Sequence, residues 1–372
     1  MSIIQFIFCL KSTQSHQKIL TLWLGVIWIL GFELIGNASE SPEDSVVSKR
    51  YQFESKHMGT LFRIIIYATD ADAKSVQNAS RDAFQRIEEL NGIFSDYLHE
   101  SELNKLSRRS GTGDFKSVSE PLWRILKYSV KVSELSGGAF DVTVGPSVRL
   151  WRRAMRRAEY PDSKRLQSAS EAVGFSKIIF HPSLRSVQLL DSSMRLDLGG
   201  IAKGYAVDEA SAVLKRHGFN HCLVEGGGDL KVSDAPPGRK GWRIALLHLD
   251  SKGNTYERIL VLSDLAVATS GDLYQFVEID GTRYSHIIDP RNGAALSHAI
   301  TSSVIAPNGM MADALASATS VLGGPEAIRL MNKFKGCYCY VVESDSKGNL
   351  IRYRSAGFEE LTSLKTEKKA TQ

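Results

Sequence analysis

The stretch RLDLGGIAKGYAVDEA, residues 195–210, places two adjacent glycines, a lysine and a third glycine where an apolar segment gives way to a helical pattern. Gly199 and Gly200 have no Cβ, so the backbone can turn sharply there or approach a ligand closely. Apolar residues then recur at three- and four-residue spacing up to Gly218, which stands where a helix C-cap is expected. The stretch predicts a strand, a glycine turn and a helix, which would direct backbone amides at an anion. A tight turn without a ligand fits the same residues equally well.

The first 38 residues have the composition of an export signal. Lys11 and Lys18 precede ILTLWLGVIWILGF, an apolar run of 14 residues that ends at Glu33. A membrane-spanning helix needs about 20 apolar residues, so this run is short for one. Small residues near Ala38 suit a cleavage site, and the alternative is an N-terminal anchor that is not cleaved. We therefore expect an exported protein, periplasmic or attached to the outer face of the inner membrane.

The rest of the chain is only mildly basic. Without residues 1–38 it carries 44 basic and 40 acidic residues, a net charge of +4, which is too small to indicate nucleic acid or a membrane surface as partner. Three cysteines remain, an odd number that predicts no disulfide framework. Cys337 and Cys339 alternate in GCYCYVVE, so we expect them on one face of a strand as small apolar residues.

The order of the predicted elements favours an α+β fold. Helical spacing predicts helices over about 71–92, 120–138 and 311–322, and further helices that begin near Pro146 and after Pro325. Short strands separated by turns are predicted mainly from 177 to 270, and they include RLDL within the opening stretch. Helices gathered early, with strands in the middle, favour α+β over alternating βαβ units.

The chain shows no internal repeat and no clear linker within its main part. We predict an export signal or N-terminal anchor over 1–38, a linker over 39–50, one domain over 51–362 and a disordered tail over 363–372.

Eight glycine-rich or polar blocks follow one another along this domain, and together they are more specific than any one of them. They are HMGT (57–60), FSDYLHESELNKLS (94–107), SGGAFDVTVGP (136–146), DLGGIAKGYAVD (197–208), VEGGGDL (224–230), ATSGD (268–272), HIIDPRNG (286–293) and ADALASATSVLG (312–323). In this order and spacing they resemble the FAD:protein FMN transferase family, also called the ApbE family. The resemblance covers about residues 51–345.

The resemblance implies a single-domain α+β fold with a mostly antiparallel sheet and packed helices. It implies transfer of the FMN moiety of FAD to a Thr or Ser hydroxyl of a target protein, with release of AMP and with a divalent metal, usually Mg²⁺. The implied partner is a target flavoprotein of a membrane redox complex. A FAD pyrophosphatase that gives FMN and AMP, and a non-catalytic FAD-binding protein, are the alternatives.

Asp313 and Ser317 are candidate metal ligands. They are four residues apart in a predicted helix, so they share one face, and their oxygens suit a hard cation such as Mg²⁺. A solvent-facing aspartate beside a packed serine is the structural alternative. The resemblance implies the Gly200 carbonyl as a further ligand. It also marks Ser317 as a departure, because the family has Thr there, and we expect weaker metal affinity from the serine.

The resemblance also implies residues for the flavin nucleotide. They are Met58, Tyr97, Ala139, Phe140, Asp141, Asp197, Lys203 and Thr269. Tyr97 and Phe140 offer ring faces to a flavin or adenine, although Phe140 could equally be core. Lys203 could direct its ammonium at a phosphate or remain a solvated surface lysine.

His286 and Asp289, three residues apart in HIIDP, are the candidate catalytic residues. The implied reaction needs a base for the proton of the acceptor hydroxyl, and histidine titrates near neutral pH. The sequence does not choose between the two.

Five arginines form a basic stripe in the third predicted helix. They are Arg149, Arg152, Arg153, Arg156 and Arg157. Their spacing predicts one helix face, either solvated or docking an acidic membrane partner.

Overall fold

A large antiparallel sheet lies between a layer of helices and a second, smaller sheet. The computed structural model describes residues 48–249, 255–271, 275–345, 347–362 and 368–369. The helices are α1 (Ala73–Phe94), α2 (Glu102–Ser107), α3 (Glu120–Ser136), α4 (Gly145–Arg157), α5 (Ser163–Glu171), α6 (Ala202–Arg216), α7 (Gly309–Leu322) and α8 (Gly324–Met331). The strands are β1 (Lys49–His57), β2 (Thr60–Ala68), β3 (Lys116–Ser117), β4 (Ile178–Phe180), β5 (Ser186–Leu189), β6 (Cys222–Gly226), β7 (Asp229–Val232), β8 (Trp242–Leu249), β9 (Thr255–Leu262), β10 (Ala266–Gly271), β11 (Phe276–Ile279), β12 (Thr282–Ser285), β13 (Ile300–Ala306), β14 (Tyr338–Ser344), β15 (Leu350–Arg354) and β16 (Lys368–Lys369).

The eight strands of the large sheet lie in the order β1-β2-β6-β7-β10-β13-β14-β15. Each neighbouring pair is antiparallel. Three smaller groups of strands accompany it, in the orders β16-β9-β8, β3-β5-β4 and β11-β12. The predicted α+β class is therefore confirmed.

The alternation of side chains along β2 shows how the layers form. Ile64 and Ile66 pack into the main core with the helices, whereas Ile65 points to the opposite face, where it joins the core shared with β8 and β9. All three isoleucines are fully buried. Both faces of the large sheet are therefore covered.

Helices α6 and α7 cross at unusually close range on the large sheet. A Cβ placed on Gly204 would lie 2.1 Å from the Gly309 carbonyl oxygen, and a Cβ on Gly309 would lie 2.4 Å from the Gly204 carbonyl oxygen. Only glycine allows this approach of the two backbones. Asp208 of α6 also accepts hydrogen bonds from the backbone N–H groups of Gly309 and Met310, at 2.6 and 2.9 Å. The start of α6 is thus fixed against α7.

The predicted helices are confirmed, with small shifts in their ends. The first helix extends over Ala73–Phe94, and the five apolar residues that share its predicted face are fully buried. The second ends at Ser136 and is capped by Gly137, which adopts a left-handed conformation with φ of 62°. Cys337 and Cys339 are both buried, as expected of small apolar residues, but only Cys339 lies in a strand, because β14 begins at Tyr338.

The prediction of a strand at RLDL is wrong. Arg195 makes only an isolated bridge to Val144. The next two residues do not bond to a strand, since Leu196 N–H donates to Ser107 Oγ at the end of α2, at 3.1 Å, and Asp197 N–H donates to the Val142 carbonyl in a loop, at 2.8 Å. Because these N–H groups are already bonded elsewhere, they cannot form the hydrogen bonds that would pair this segment with a strand.

Two predictions at the ends of the chain also need correction. β1 begins at Lys49, so the last two residues of the predicted linker 39–50 belong to the sheet. Within the predicted disordered tail 363–372, Lys368 and Lys369 form β16 and pair with β9, whose edge offers free backbone groups. The predicted export signal or anchor, 1–38, lies outside the described residues. None of the described helices is long and apolar enough to cross a membrane.

Candidate active site

The glycine turn at the start of α6 brings the backbone against α7. A Cβ placed on Gly200 would lie 2.6 Å from Ser317 Oγ and 3.5 Å from the ring of Phe140. Neither Gly199 nor Gly200 is among the glycines with positive φ. Glycine at 200 is therefore required by space and not by backbone conformation. The N–H of Gly199 donates to Asp197 Oδ1 at 2.8 Å, which fixes the turn.

The three predicted metal ligands lie together at this turn. Ser317 Oγ donates to the Gly200 carbonyl at 3.5 Å. Asp313, one helical turn before Ser317 and only 4% exposed, accepts a bond from the N–H of Gly204 at 3.1 Å. The described part of the chain contains no group of three or more His, Cys, Asp or Glu side chains able to hold a metal. A cation here would depend on hydroxyl and backbone oxygens as well as on carboxylate.

Lys203 lies between two buried carboxylates and is not a solvated surface lysine. Its Nζ is 2.6 Å from Asp229 Oδ2 and 3.7 Å from Asp313 Oδ2. Burial opposes the charge of Lys203, but the two carboxylates outweigh it and raise the lysine pKa. Burial, and then the charge of Asp313, raise the pKa of Asp229 well above its ordinary value. We call Lys203, Asp229 and Asp313 the buried charge cluster.

Asp229 was not among the predicted site residues, although VEGGGDL contains it. Gly227, two residues before it, brings this loop against Lys203. A Cβ on Gly227 would lie 3.0 Å both from Lys203 Cδ and from Thr60 Cγ2. The sequence feature that could have identified Asp229 is its position directly after three glycines.

Met58 and Thr269 border the same region. Met58 lies in the tight turn between β1 and β2 with φ of 49°, next to the Thr60 that contacts the glycine loop. Thr269 lies within β10. Its backbone oxygen would lie 3.7 Å from a Cβ on Gly228, and its hydroxyl bonds to Ser303 Oγ at 2.9 Å.

A polar cleft of about 500 Å³ opens beside Asp197. Tyr97, which is 77% exposed, lies under the guanidinium of Arg152, whose carbon is 4.6 Å from the ring centroid. Arg152 also pairs with Asp96 and with Asp197, the latter at 2.9 Å. We call Asp96, Tyr97, Arg152 and Asp197 the tyrosine cleft. Arg152 is therefore held in the cleft by ion pairs. The alternative that placed it on a solvated helix face is wrong for this residue.

Burial and charge act in opposite directions in the tyrosine cleft. Burial, followed by the neighbouring Asp96, raises the pKa of Asp197, and Arg152 only partly offsets this. For Arg152, burial lowers the pKa, but the charges of Asp197 and Asp96 reverse that effect and raise it. Asp96 and Arg152 were both missed as site residues. Arg152 stands two helical turns after Gly145, which also lines the cleft, so helical spacing could have identified it.

Ala139, Phe140 and Asp141 form a buried segment between the two clusters. The Phe140 ring is 6% exposed and faces the glycine turn. The Asp141 carboxylate accepts bonds from Thr143 N and Oγ1, at 2.8 and 2.7 Å, and from Phe175 N at 2.7 Å. Both of its oxygens thus hold the loop, and burial raises its pKa.

The two candidate catalytic residues have different environments. Asp289 is buried and pairs with Arg291, with Oδ1 2.8 Å from Nε and Oδ2 2.7 Å from Nη2. His286 is exposed, and its Nδ1 bonds to the Gln275 carbonyl at 3.1 Å. In a neutral ring this bond places the proton on Nδ1 and the lone pair on Nε2. The turn that carries them contacts the site region, because Arg291 Cγ would lie 3.5 Å from a Cβ on Gly138.

The fold and the site define an α+β protein in which an oxygen-rich cluster lies beside an aromatic, polar cleft. Such a pair of features is suited to a cation and a nucleotide. The sequence profile of the ApbE family matches residues 58–341. The chain therefore belongs to the ApbE family.

Relatives and solved structures agree with this family over most of the chain. The FAD:protein FMN transferase of Treponema pallidum (strain Nichols) is 30% identical over 304 residues, 78% of this chain and 83% of the relative. That of Haemophilus influenzae (strain ATCC 51907 / DSM 11121 / KW20 / Rd) is 27% identical over 325 residues, 86% of this chain and 93% of the relative. The structure of flavin transferase ApbE from Vibrio cholerae matches with a TM-score of 0.75 at 26% identity, covering 85% of this chain and 100% of that one. The apo form of the Pseudomonas stutzeri flavinyl transferase ApbE matches with a TM-score of 0.74 at 25% identity, covering 84% and 97%. The predicted family and its α+β fold are confirmed.

Proposed function

We propose that this chain transfers the FMN moiety of FAD to a Thr or Ser hydroxyl of a target protein. The hydroxyl oxygen forms a bond to the FMN phosphorus, the pyrophosphate P–O bond breaks, and AMP leaves with the bridging oxygen. Family membership and the names of the relatives support the reaction class. The observation that carries it to these residues is the convergence of the Gly200 carbonyl, Ser317 and Asp313 where α6 meets α7.

The residues present fit a Mg²⁺ ion. Gly200, Asp313 and Ser317 offer only oxygen donors, and the cradle between Gly200 and Ser317 is one that a single Cβ would fill. The Lys203 ammonium lies between Asp313 and a second buried carboxylate, Asp229, so the region is rich in the oxygen atoms that a hard cation prefers. When bound, the ion would polarise the pyrophosphate oxygens and offset the charge that develops on them.

The tyrosine cleft supports a role in holding the nucleotide. Arg152 is fixed by two carboxylates and lies against Tyr97, so the exposed outer face of that tyrosine is kept in place for a flavin or adenine ring. Phe140 continues the apolar surface toward the glycine turn. Positioning of this kind carries most of the catalysis in phosphoryl transfer.

We assign the base to His286 and not to Asp289. The Asp289 carboxylate is neutralised by two bonds from Arg291 and is buried, so it is poorly placed to accept a proton from another protein. His286 is exposed, and the bond from Nδ1 to Gln275 directs the lone pair to Nε2. Because the imidazole ring is exposed, a target hydroxyl arriving from solvent can reach it.

We further propose that the chain works outside the cytoplasm on a flavoprotein of a membrane redox complex. The apolar run before Glu33 supports export or an N-terminal membrane anchor. An acceptor domain on the same side of the membrane would then be within reach.

Incubation of the purified chain with FAD and Mg²⁺ tests the proposal. We expect AMP, measured by chromatography, with a target protein present and loss of AMP when a chelator removes the metal. Free FMN in the absence of a target would indicate a pyrophosphatase. Bound FAD without AMP, with a target present, would indicate a flavin-binding protein and contradict the proposed reaction.

A further inference from the structure

We propose that four arginines at the rim of the tyrosine cleft bind an acidic segment of the target protein, close to the hydroxyl that receives FMN. This inference rests on the proposed function. The arginine cluster consists of Arg108, Arg149, Arg156 and Arg195, which all line the same cleft of about 500 Å³.

Helix α4 supplies two members of the arginine cluster, and these differ from Arg152 in having no carboxylate partner among the described residues. Arg149, Arg152 and Arg156 follow one another at three- and four-residue spacing, so they lie on one face. Arg152 is neutralised by Asp96 and Asp197. Arg149 and Arg156 are exposed, and within the described ranges neither makes an ion pair with a carboxylate.

Arg195 adds a guanidinium that is held in place without being neutralised. Its Nη1 donates to the carbonyls of Ser107 and Met194, at 2.8 and 3.1 Å. Burial, then Arg149 and Arg108, lower the pKa of Arg195, which shows that the charges repel one another. A fixed cation surrounded by like charges gains most from an anionic ligand.

Arg108 completes the arginine cluster with a partly compensated charge. It donates to the His99 carbonyl at 2.6 Å, and its other nitrogen lies 3.7 Å from Glu100 in an exposed pair. Exposed pairs of this kind contribute little, so the local field remains positive.

The positive surface continues away from the flavin residues. A second cavity of about 450 Å³ shares Arg149 and Arg195 with the first and adds Lys164 and Arg165. None of the predicted flavin or metal residues lines this second cavity. Together the two cavities present seven lysine or arginine side chains against two carboxylates, which Arg152 already occupies. An extended surface of this kind fits a stretch of acidic residues better than the phosphates of one nucleotide.

Binding of two labelled peptides to the full chain tests the proposal. One has a threonine flanked by aspartates, and the other has asparagines in place of the aspartates. Fluorescence anisotropy is measured at low and high salt. We expect the acidic peptide alone to bind, and its affinity to fall as salt rises. Arg149→Glu should weaken this binding about three- to tenfold, as a change of sign at an exposed charge allows.

Arg153→Glu is the matched control, because Arg153 is exposed on the same helix but lines neither cavity. Equal binding of the two peptides, or equal losses in the two variants, would overturn the proposal. So would a fall in FAD affinity in Arg149→Glu with unchanged peptide binding, since it would assign the arginine cluster to FAD. AMP release by the wild-type chain, assayed separately, reports on the proposed function whatever the peptides do.

Discussion

At the scale of single residues, Gly200 shows how little space separates the two sides of the proposed metal site. Its φ is not in the left-handed region, so an alanine would meet no backbone strain there. The obstacle is Ser317 Oγ, 2.6 Å from where the new Cβ would lie. A Cβ at Gly200 would therefore push the Ser317 hydroxyl away from the Gly200 carbonyl, and both are proposed ligands.

We predict that Gly200→Ala loses most of its AMP release while the protein stays folded. Overpacking of this kind costs about 1–3 kcal/mol, within a typical total stability of about 5–15 kcal/mol. Gly92→Ala is the matched control, because a Cβ there meets nothing within 4 Å. AMP assays and thermal melts on both variants check the prediction. Full activity in Gly200→Ala would show that the carbonyl and the serine need not lie so close.

Lys203 should matter for stability as well as for FAD. Removal of its ammonium leaves Asp229 and Asp313 buried side by side without a counter-charge. We predict that Lys203→Met lowers the free energy of unfolding by about 3–5 kcal/mol, as loss of one partner of a buried pair does.

The loss in Lys203→Met should depend on pH. The folded-state pKa of Asp229 already lies above its unfolded value and would rise further without Lys203. The folded protein then holds the proton more tightly, so stability falls as pH rises between the two pKa values. Urea unfolding at several pH values should show the variant recovering toward acidic pH. A pH-independent loss would contradict the assigned cluster.

At the scale of elements, the contact between α6 and α7 places the ligands. Asp208 on α6 accepts two N–H bonds from the first turn of α7, the helix that carries Asp313 and Ser317. Burial raises the pKa of Asp208 to about 6. A substitution at Asp208 should therefore shift α7, and with it the proposed metal ligands Asp313 and Ser317.

We predict that Asp208→Asn lowers both melting temperature and AMP release, because an amide can accept only one of the two N–H bonds. An unpaired buried donor costs about 1–3 kcal/mol. The Asp208 pKa is higher in the folded state than in the unfolded state, so wild-type stability from this group falls as pH rises from about 4 to about 6. The gap between the wild type and the variant should therefore narrow over that range. A gap that widens with pH would contradict the assignment.

The helices were predictable from the sequence because the apolar residues at helical spacing are the ones that the fold buries. The face of α1 and the glycine end of α3 are examples. The segment RLDL was not predictable, since its backbone bonds to Ser107 and Val142, which are far away in the chain. Arg152 and Asp229 were missed for a related reason. A charged residue looks the same in a sequence whether it faces solvent or forms an ion pair, because the sequence does not show its partners.

At the scale of the whole molecule, the two sheets and the helical layer have different roles. The core that contains Ile65, Trp242 and Leu260 joins the large sheet to β8 and β9 on the face opposite the helices. The proposed ligands come from the turn before α6 and from α7. The tyrosine cleft is formed by α4, the segment before α2 and Asp197. The family resemblance predicted this fold class and the blocks that converge. It could not supply the ion pairs, which depend on the packed side chains.

Covalent attachment of FMN to another protein is the activity that we propose for this chain. The most direct measurement is in-gel flavin fluorescence of denatured proteins from the source cells, with the gene present, deleted, or replaced by the Asp313→Ala variant. We predict fluorescent bands that disappear on deletion and return with the wild-type gene but not with the variant. The acceptor in such a band should gain the mass of FMN less one water. Bands that persist unchanged after deletion would contradict the account.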